Sequence, residues 1–270
     1  MKDIVKYNNY MNDISLGTLR ASDLDVLMAI CSKMREKGTE EVELSFGELR
    51  QIAELSNCDS RERFAAAINS VNRKLINIVG HIETDDEDTF FTLFNELSAR
   101  KKEGIVRVSI NPKYSFVLND LQTNFTTFEL KEFTQLKSKY SKNLYRLLKQ
   151  ITKPDIDSEC WRRFKAEDLR EKLGCPKSYQ NKIFVRDILL PCIEELSPIF
   201  DGLTMDITKA RRQGSPISGY EFRWRATVDD DMPGQGELPI EKPKFKKTAF
   251  HNIENADIDF DELEKNLLQK

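Results

Sequence analysis

"CWRRFKAEDLREKLGCPKSYQNKIFVRDILLPCIEEL", residues 160–196, passes from a strand-like to a helix-like hydrophobic period. CWRRFK alternates as a strand does, AEDLREKLG suits a short helix, and SYQNKIFVRDILLPCIEEL carries apolar residues at helical spacing. Along the last, Phe184, Ile188, Leu189, Cys192, Ile193 and Leu196 form one wide apolar arc, and Tyr179, Lys182, Arg186 and Asp187 fall outside it. The polar residues outside the arc occupy the N-terminal half of the predicted helix.

C-terminal to this stretch, LTMDITKA and GYEFRWRA are predicted as two strands joined by RRQGSPIS. Alternation turns Leu203, Met205, Ile207, Tyr220, Phe222 and Trp224 inward and leaves Lys209, Arg211, Arg212 and Gln213 at the hairpin tip. N-terminal to it, SKYSKNLYRLLKQITK (138–153) reads as a helix. Leu136, Tyr140, Leu144, Leu147 and Ile151 make its apolar stripe, and Lys139, Lys142, Arg146, Lys149 and Lys153 recur on roughly the opposite side. Helix, strand, helix, helix and hairpin is the order of a winged helix, whose third helix enters the major groove while the hairpin touches neighbouring backbone.

The same order occurs earlier: LDVLMAICSKMREK, VELSF, GELRQIAEL, SRERFAAAINSVNRKLINI, then the alternating segments HIETDD, FFTLFNEL and IVRVSIN. The predicted fold is α+β, with two tandem winged-helix domains and a flexible acidic C-terminal tail. Residues 1–122 form the first domain, 123–228 the second and 229–270 the tail. In the first unit's long helix Phe64, Ile68, Val71, Leu75 and Ile78 face inward, leaving Arg63, Ala66, Ser70, Arg73 and Asn77 outward. Small residues among arginines let a helix approach base edges closely. Arg100, Lys101 and Lys102 are the candidate tip of its wing, offset by the acidic turn Asp85, Asp86, Glu87 and Asp88.

Charge is segregated along the chain. Residues 1–122 hold 16 basic and 20 acidic residues (−4), 123–228 hold 20 and 14 (+6), and 229–270 hold 6 and 11 (−5), which sum to the formal net charge of −3. A basic middle segment between acidic ones points to a polyanion partner. Hydrophobic residues at 39% give each domain a core, and no run of about 18 apolar residues is present for a membrane span. A cytoplasmic protein without a membrane association is expected. Cys31, Cys58, Cys160, Cys175 and Cys192 are widely spaced without a CxxC pair, His81 and His251 lie far apart, and no GxxxxGK[ST] loop occurs. Metal, cofactor and nucleotide-hydrolysis chemistry are therefore not expected.

At FTTFELKEFTQLKSKYSKNLYRLLKQ (125–150), followed by the basic-tipped hairpin, the chain resembles the iteron-binding replication initiator proteins of theta-replicating plasmids. RFKAEDLREKLG, YQNKIFVRDILLPCIEEL and YEFRWRA extend the resemblance over roughly residues 5–226. It implies two winged-helix domains, monomers that bind directly repeated double-stranded origin DNA to start replication, and dimers that repress the initiator's own promoter. The first domain would then supply dimerisation and auxiliary DNA contacts, and the second the main DNA contacts. The major-groove helix would fall on Tyr179 to Leu196, with Arg186 at a basic contact position and Asp187 departing from a neighbour that is often basic. The resemblance also brings Ser138 to Lys142 near the sugar-phosphate backbone, so that the basic stripe of that helix tracks phosphate.

The DNA-contact candidates are thus Arg63, Ser70 and Arg73; Ser138, Lys139, Lys142 and Arg146; Lys177, Ser178, Tyr179, Lys182 and Arg186; and Lys209, Arg211, Arg212 and Gln213. In the tail, Pro233, Gly234, Gly236, Pro239 and Pro243 read as a linker. Beyond it Ile258, Phe260, Leu263 and Leu267 make a short acidic amphipathic stretch, a candidate docking peptide for a host helicase, primase or loader. The expected function is non-enzymatic origin binding, with a homodimer in equilibrium with monomer. The alternatives are a plain winged-helix transcriptional repressor and a Tyr-dependent nickase or recombinase using Tyr140 or Tyr145, the latter disfavoured because neither tyrosine has a histidine nearby in sequence.

Overall fold

Asp23 begins the first long helix from inside, accepting the Arg20 backbone N–H at 2.8 Å while its other contact, the Lys74 ammonium at 2.6 Å, comes from the end of a second helix. Such local caps and cross-ties set the order of elements in this computed structural model, which describes residues 3–52, 60–119, 121, 124–150, 159–210 and 216–226. By compactness the chain divides into a main body, Met1–His81 with Phe90–Glu237, which holds both winged-helix units, and a small second part, Ile82–Thr89 with Leu238–Lys270. The described part of the second is a tight turn in which the Thr84 N–H donates to Glu87 O at 2.8 Å and the Glu87 N–H to Thr84 Oγ1 at 3.0 Å. The rest of the described fold is that of the first, two of whose strands run on into this turn.

In chain order its elements are β1 (Ile4–Asn8), α1 (Ala21–Met34), β2 (Val42–Ser45), α2 (Phe46–Ile52), α3 (Arg61–Leu75), β3 (Val79–Glu83), β4 (Asp88–Thr92), β5 (Phe94–Arg100) and β6 (Ile105–Ile110). Then come β7 (Phe125–Glu129), α4 (Leu130–Thr134), α5 (Lys139–Lys149), β8 (Glu159–Lys165), α6 (Ala166–Leu173), α7 (Asn181–Phe184), a π turn (Val185–Leu189), α8 (Leu190–Leu196), β9 (Thr204–Lys209) and β10 (Ile217–Arg225). The two three-stranded sheets have the orders β2-β6-β5 and β8-β10-β9. These are one topology used twice: the strand after the opening helix pairs with the second strand of the closing hairpin. Each opening helix is preceded by a strand, and those strands, β1 and β7, pair antiparallel from Ile4↔Glu129 to Asn8↔Phe125.

Two details depart from the sequence reading. FFTLFNEL is not one strand: it is divided at Leu93 between β4 and β5, so the acidic turn belongs to an extra β3–β4 hairpin and the first wing is β5–β6 alone. In the second hairpin Ile207, expected inward, is exposed on the edge strand β9, although its partner Tyr220 on the central strand β10 is buried. The long helix of the second unit also carries a π turn. Pro191 has no N–H for the carbonyl four residues before it, and the ladder adjusts so that the Leu190 N–H bonds Val185 O five residues back.

The buried apolar residues of both units form one continuous core. A run of ring contacts crosses it, from Tyr7 through Phe128 (6.0 Å between centroids), Tyr145 (5.1 Å) and Phe200 (5.9 Å) to Trp224 (5.7 Å). Tyr145 of α5 stands in the middle of this run.

That position of α5 overturns the expected basic stripe. Packed against α1 on one side and α6 and α8 on the other, α5 has no open face, and Lys142 and Arg146 are buried. The Lys142 ammonium is bonded to Asp25 Oδ1 at 2.5 Å and Phe133 O at 2.9 Å. The Arg146 guanidinium donates to Met11 O at 2.7 Å, Asn12 Oδ1 at 3.2 Å and the Tyr7 hydroxyl at 3.2 Å. Lys139 reaches Gly17 O at 2.9 Å, and Lys149 pairs with Glu132 at 2.8 Å. Lys139, Lys142 and Arg146 join the two winged-helix halves internally, Lys149 pairs within the second, and Lys142 and Arg146 are not available to phosphate. Ile151 and Lys153 lie outside the described residues.

Candidate nucleic-acid interface

α3 begins at Ser60, whose Oγ accepts the Arg63 N–H at 3.2 Å and so satisfies one of the open donors of the first turn. Glu48 holds α2, the helix before it, by accepting the Ser45 N–H at 2.8 Å and the Lys33 ammonium at 2.7 Å. Phe64, Ile68 and Leu75 are fully buried, and the opposite face presents Arg63, Ala66, Ser70, Arg73 and Asn77, all exposed. The sequence reading of both faces agrees with the structure. Beside the helix start, Arg61 donates to Lys102 O at 3.1 Å, tying the β5–β6 wing turn to α3. Lys101 and Lys102 are exposed in that turn, and Arg100 pairs with Glu103 at 3.3 Å.

In the second unit α6 ends at Gly174 in the left-handed conformation (φ 65°), with its N–H on Glu171 O at 2.9 Å. The turn that follows exposes Lys177 and Ser178 and half buries Tyr179, whose carbonyl accepts a bond from Arg170. α7 then exposes Lys182, and the π turn exposes Arg186 and Asp187, while Phe184, Ile188, Leu189, Cys192 and Leu196 are buried beneath. Arg186 and Asp187 form a two-pronged pair, 2.5 and 2.8 Å, that depresses the Asp187 carboxyl and raises the guanidinium from their ordinary values. Lys209 is exposed at the end of β9. Arg211, Arg212 and Gln213, and in the tail Ile258, Phe260, Leu263 and Leu267, lie outside the described residues.

Ser138 and Lys139 are half-buried. Ser138 caps α5, accepting the Tyr140 N–H at 3.1 Å, and burial holds the Lys139 ammonium below the usual lysine range. A surface that the sequence reading passed over is the outer face of the β8-β10-β9 sheet. There the exposed Trp161 lies across from Arg223, with Arg163, Lys165 and Arg225 beside it. The alternation that turned Tyr220, Phe222 and Trp224 inward also placed these outward, so the signal was present. Glu221 takes part of the charge, lying 3.3 Å from Arg163 and 2.6 Å from Arg223.

Among the described residues the geometry offers recognition surfaces and no reacting constellation. Among the described residues no group of three or more His, Cys, Asp or Glu is placed to hold a metal ion, and no helix is long and apolar enough to cross a membrane. Tyr145 is fully buried against Glu132, and burial first, then that carboxylate, push its phenol well above the ordinary range; burial raises Tyr140 as well. A phenolate nucleophile needs the opposite shift.

A helix-turn-helix closed by a hairpin wing, built twice around one core, defines a tandem winged-helix DNA-binding protein. The chain belongs to the initiator replication protein family: the model described as "Initiator Replication protein, WH1" matches residues 4–149, and that described as "Initiator Rep protein, WH2" matches residues 165–224. It is 36% identical over 222 residues to a "Probable replication protein rep" of Bifidobacterium longum (strain NCC 2705), an alignment covering 82% of this chain and 72% of that one. Among solved structures it is similar in fold to one described as "Crystal structure of Pi initiator protein in complex with iteron DNA". The TM-score is 0.63 at 17% identity, over 84% of this chain and 99% of that one.

Proposed function

We propose that this initiator binds directly repeated duplex DNA at a plasmid replication origin and acts there without catalysis of its own. The N-terminal half of the α7–α8 helix enters one major groove, α3 meets an adjoining stretch, and the two wings contact backbone. The observation that carries this reading is the repetition of one arrangement. At the same topological position in each unit stands a helix whose outer face is polar and exposed, beside a hairpin that ends in basic residues, Arg100 to Lys102 in one and Lys209 to Arg212 by sequence in the other. The fold likeness to an initiator described in complex with iteron DNA supports the choice of ligand.

The division of labour suggested by sequence completes the proposal. Residues 123–228 supply the main contacts, and residues 1–122 auxiliary contacts and a dimer that represses the protein's own promoter. The acidic tail recruits host helicase, primase or their loader.

The test begins with a duplex enriched from a random-sequence pool by the full chain. Footprinting should show two adjoining protected stretches. If about six phosphates are neutralised, affinity should fall about a thousandfold between roughly 50 and 200 mM salt. Equal affinity for the enriched and unrelated duplexes, or indifference to salt, would remove the proposal.

A further inference from the structure

Gly17, in the segment leading to α1, and Gly174, at the end of α6, meet backbone to backbone. A Cβ on Gly17 would lie 2.2 Å from Gly174 Cα, and one on Gly174 would lie 2.3 Å from Gly17 Cα and 2.4 Å from Gly17 O. No other residue fits at either position without parting the two chain segments. Lys139 Nζ bridges the contact, 2.9 Å from Gly17 O and 3.4 Å from Gly174 O. Lys172, on the same helix end as Gly174, donates to Asn12 O at 3.1 Å and Asp13 Oδ1 at 3.0 Å.

This joint lies on a direct mechanical route to the reading helix of the second unit. Gly174 closes α6, and Arg170, one turn back on α6, donates to Tyr179 O and, at 3.4 Å, to Asn181 Oδ1, the first residue of α7. Gly17 is coupled to the first unit through the chain that enters α1, whose Asp23 is tied to the end of α3 by Lys74 at 2.6 Å. A backbone contact cannot yield as a flexible side chain can, so a shift at Gly17–Gly174 changes the pose of one reading helix against the other.

We propose that the Gly17–Gly174 contact, bridged by Lys139, is a specificity-determining joint that makes the protein accept one spacing between the two base stretches read by α3 and by α7–α8. It rests on the duplex-binding function proposed above. Neither glycine touches DNA in this account. They act by position, and the readout that separates this from a merely structural role is a change of preferred spacing.

The experiment uses the full chain and three probes: the duplex enriched by the wild type, and the same duplex with one base pair inserted or deleted between its two footprinted stretches. Wild type should bind the altered duplexes at least about tenfold more weakly, comparable with a mismatched base pair. Gly17→Ala, whose φ carries no left-handed strain, should narrow that discrimination to about threefold or less, or move the optimum to the lengthened duplex. Lys139→Met removes the bridge without a clash and should narrow it in the same direction, which decides the matter if Gly17→Ala does not fold. Unaltered spacing preference in the folded variants overturns the joint while leaving duplex binding in place. An altered duplex bound as well as the parent by wild type also overturns it. A wild type that enriches no duplex removes both the joint and the function on which it rests.

Discussion

The Lys142 ammonium lies 2.5 Å from Asp25 Oδ1, with the lysine side chain closed to water and the aspartate side chain nearly so. The partners are 117 residues apart in sequence, one on α5 of the second unit and one on α1 of the first. Phe133 O accepts a second bond from the same ammonium at 2.9 Å, and the Phe133 ring lies 4.7 Å away, so the charge is well solvated by protein. Removing one partner of such a pair leaves the other charge buried, at a cost of about 3–5 kcal/mol, whereas replacing both by apolar residues is far milder. Lys142→Met should therefore lower unfolding stability in urea by about that amount, and Lys142→Met with Asp25→Leu should recover most of it. At a temperature where the single variant stays folded, the salt dependence of DNA binding should match wild type. A reduced salt slope with unchanged stability would return Lys142 to the phosphate-binding surface.

How far the sequence could be read follows from where each helix packs. The faces of α3 and of α7–α8 were legible because each helix has a core on one side and water on the other, so a period near 3.6 sorts their residues correctly. For α5 the same reasoning misplaces Lys142 and Arg146, since a helix covered on both sides has no solvent face and its second side is satisfied by Asp25, Asn12 and a backbone carbonyl from distant parts of the chain. The repeated order of elements gave the two units, and the paired sheet orders agree with it. The Gly17–Gly174 contact had no signal, because close approach of two backbones leaves nothing periodic in a single sequence. The π turn at Pro191 was announced only by the proline itself.

Arg186 and Asp187 share a two-pronged pair on the exposed face of the candidate reading helix, and the pair sets opposite expectations for the two residues. Arg186→Ala should reduce the ratio of enriched to unrelated duplex affinity by about tenfold, within the range of one good base contact. Asp187→Asn removes a negative charge facing the polyanion and frees the guanidinium, so it should tighten binding to both duplexes by a few fold, on the order of one screened charge contact. Lys177→Ala and Lys182→Ala should weaken both duplexes alike and lower the salt slope by about one unit each. Titrations of the four variants against the two duplexes decide the roles. An unchanged affinity ratio for Arg186→Ala would remove it from base reading.

The anchor of α2 should be visible as acid sensitivity. The Lys33 ammonium, then the Ser45 N–H, lower the Glu48 carboxyl from 4.5 to about 2. A carboxyl whose folded value is depressed stabilises the fold at pH above its unfolded value, and that contribution fades as pH falls from about 4.5 towards 2. Because the side chain is partly exposed, screening leaves about 1 kcal/mol of the effect. Urea unfolding at about pH 7 and about pH 3 should show Glu48→Gln losing roughly half a kcal/mol less than wild type between the two conditions, since pH 3 lies only part of the way down that window. Equal losses would mean that the carboxylate does not hold α2 through its charge.

The acidic tail offers the cleanest separation of binding from initiation. Residues 229–270 carry 6 basic and 11 acidic residues, and their Pro and Gly run precedes a single amphipathic stretch with Ile258, Phe260, Leu263 and Leu267. A net −5 competes with phosphate for basic surface, so deletion should leave repeat binding unchanged or slightly tighter, most visibly at low salt. If the amphipathic stretch docks host replication machinery, plasmid establishment by the truncated chain should fail despite that binding. Phe260→Ala with Leu263→Ala in the full chain is the finer probe, because it keeps the tail's length and charge and removes only apolar contact. Repeat affinity and plasmid establishment, measured together for wild type and both variants, give the answer. Normal establishment by both variants would assign recruitment to the winged-helix units, and weaker repeat binding by the truncated chain would place part of the tail at the DNA.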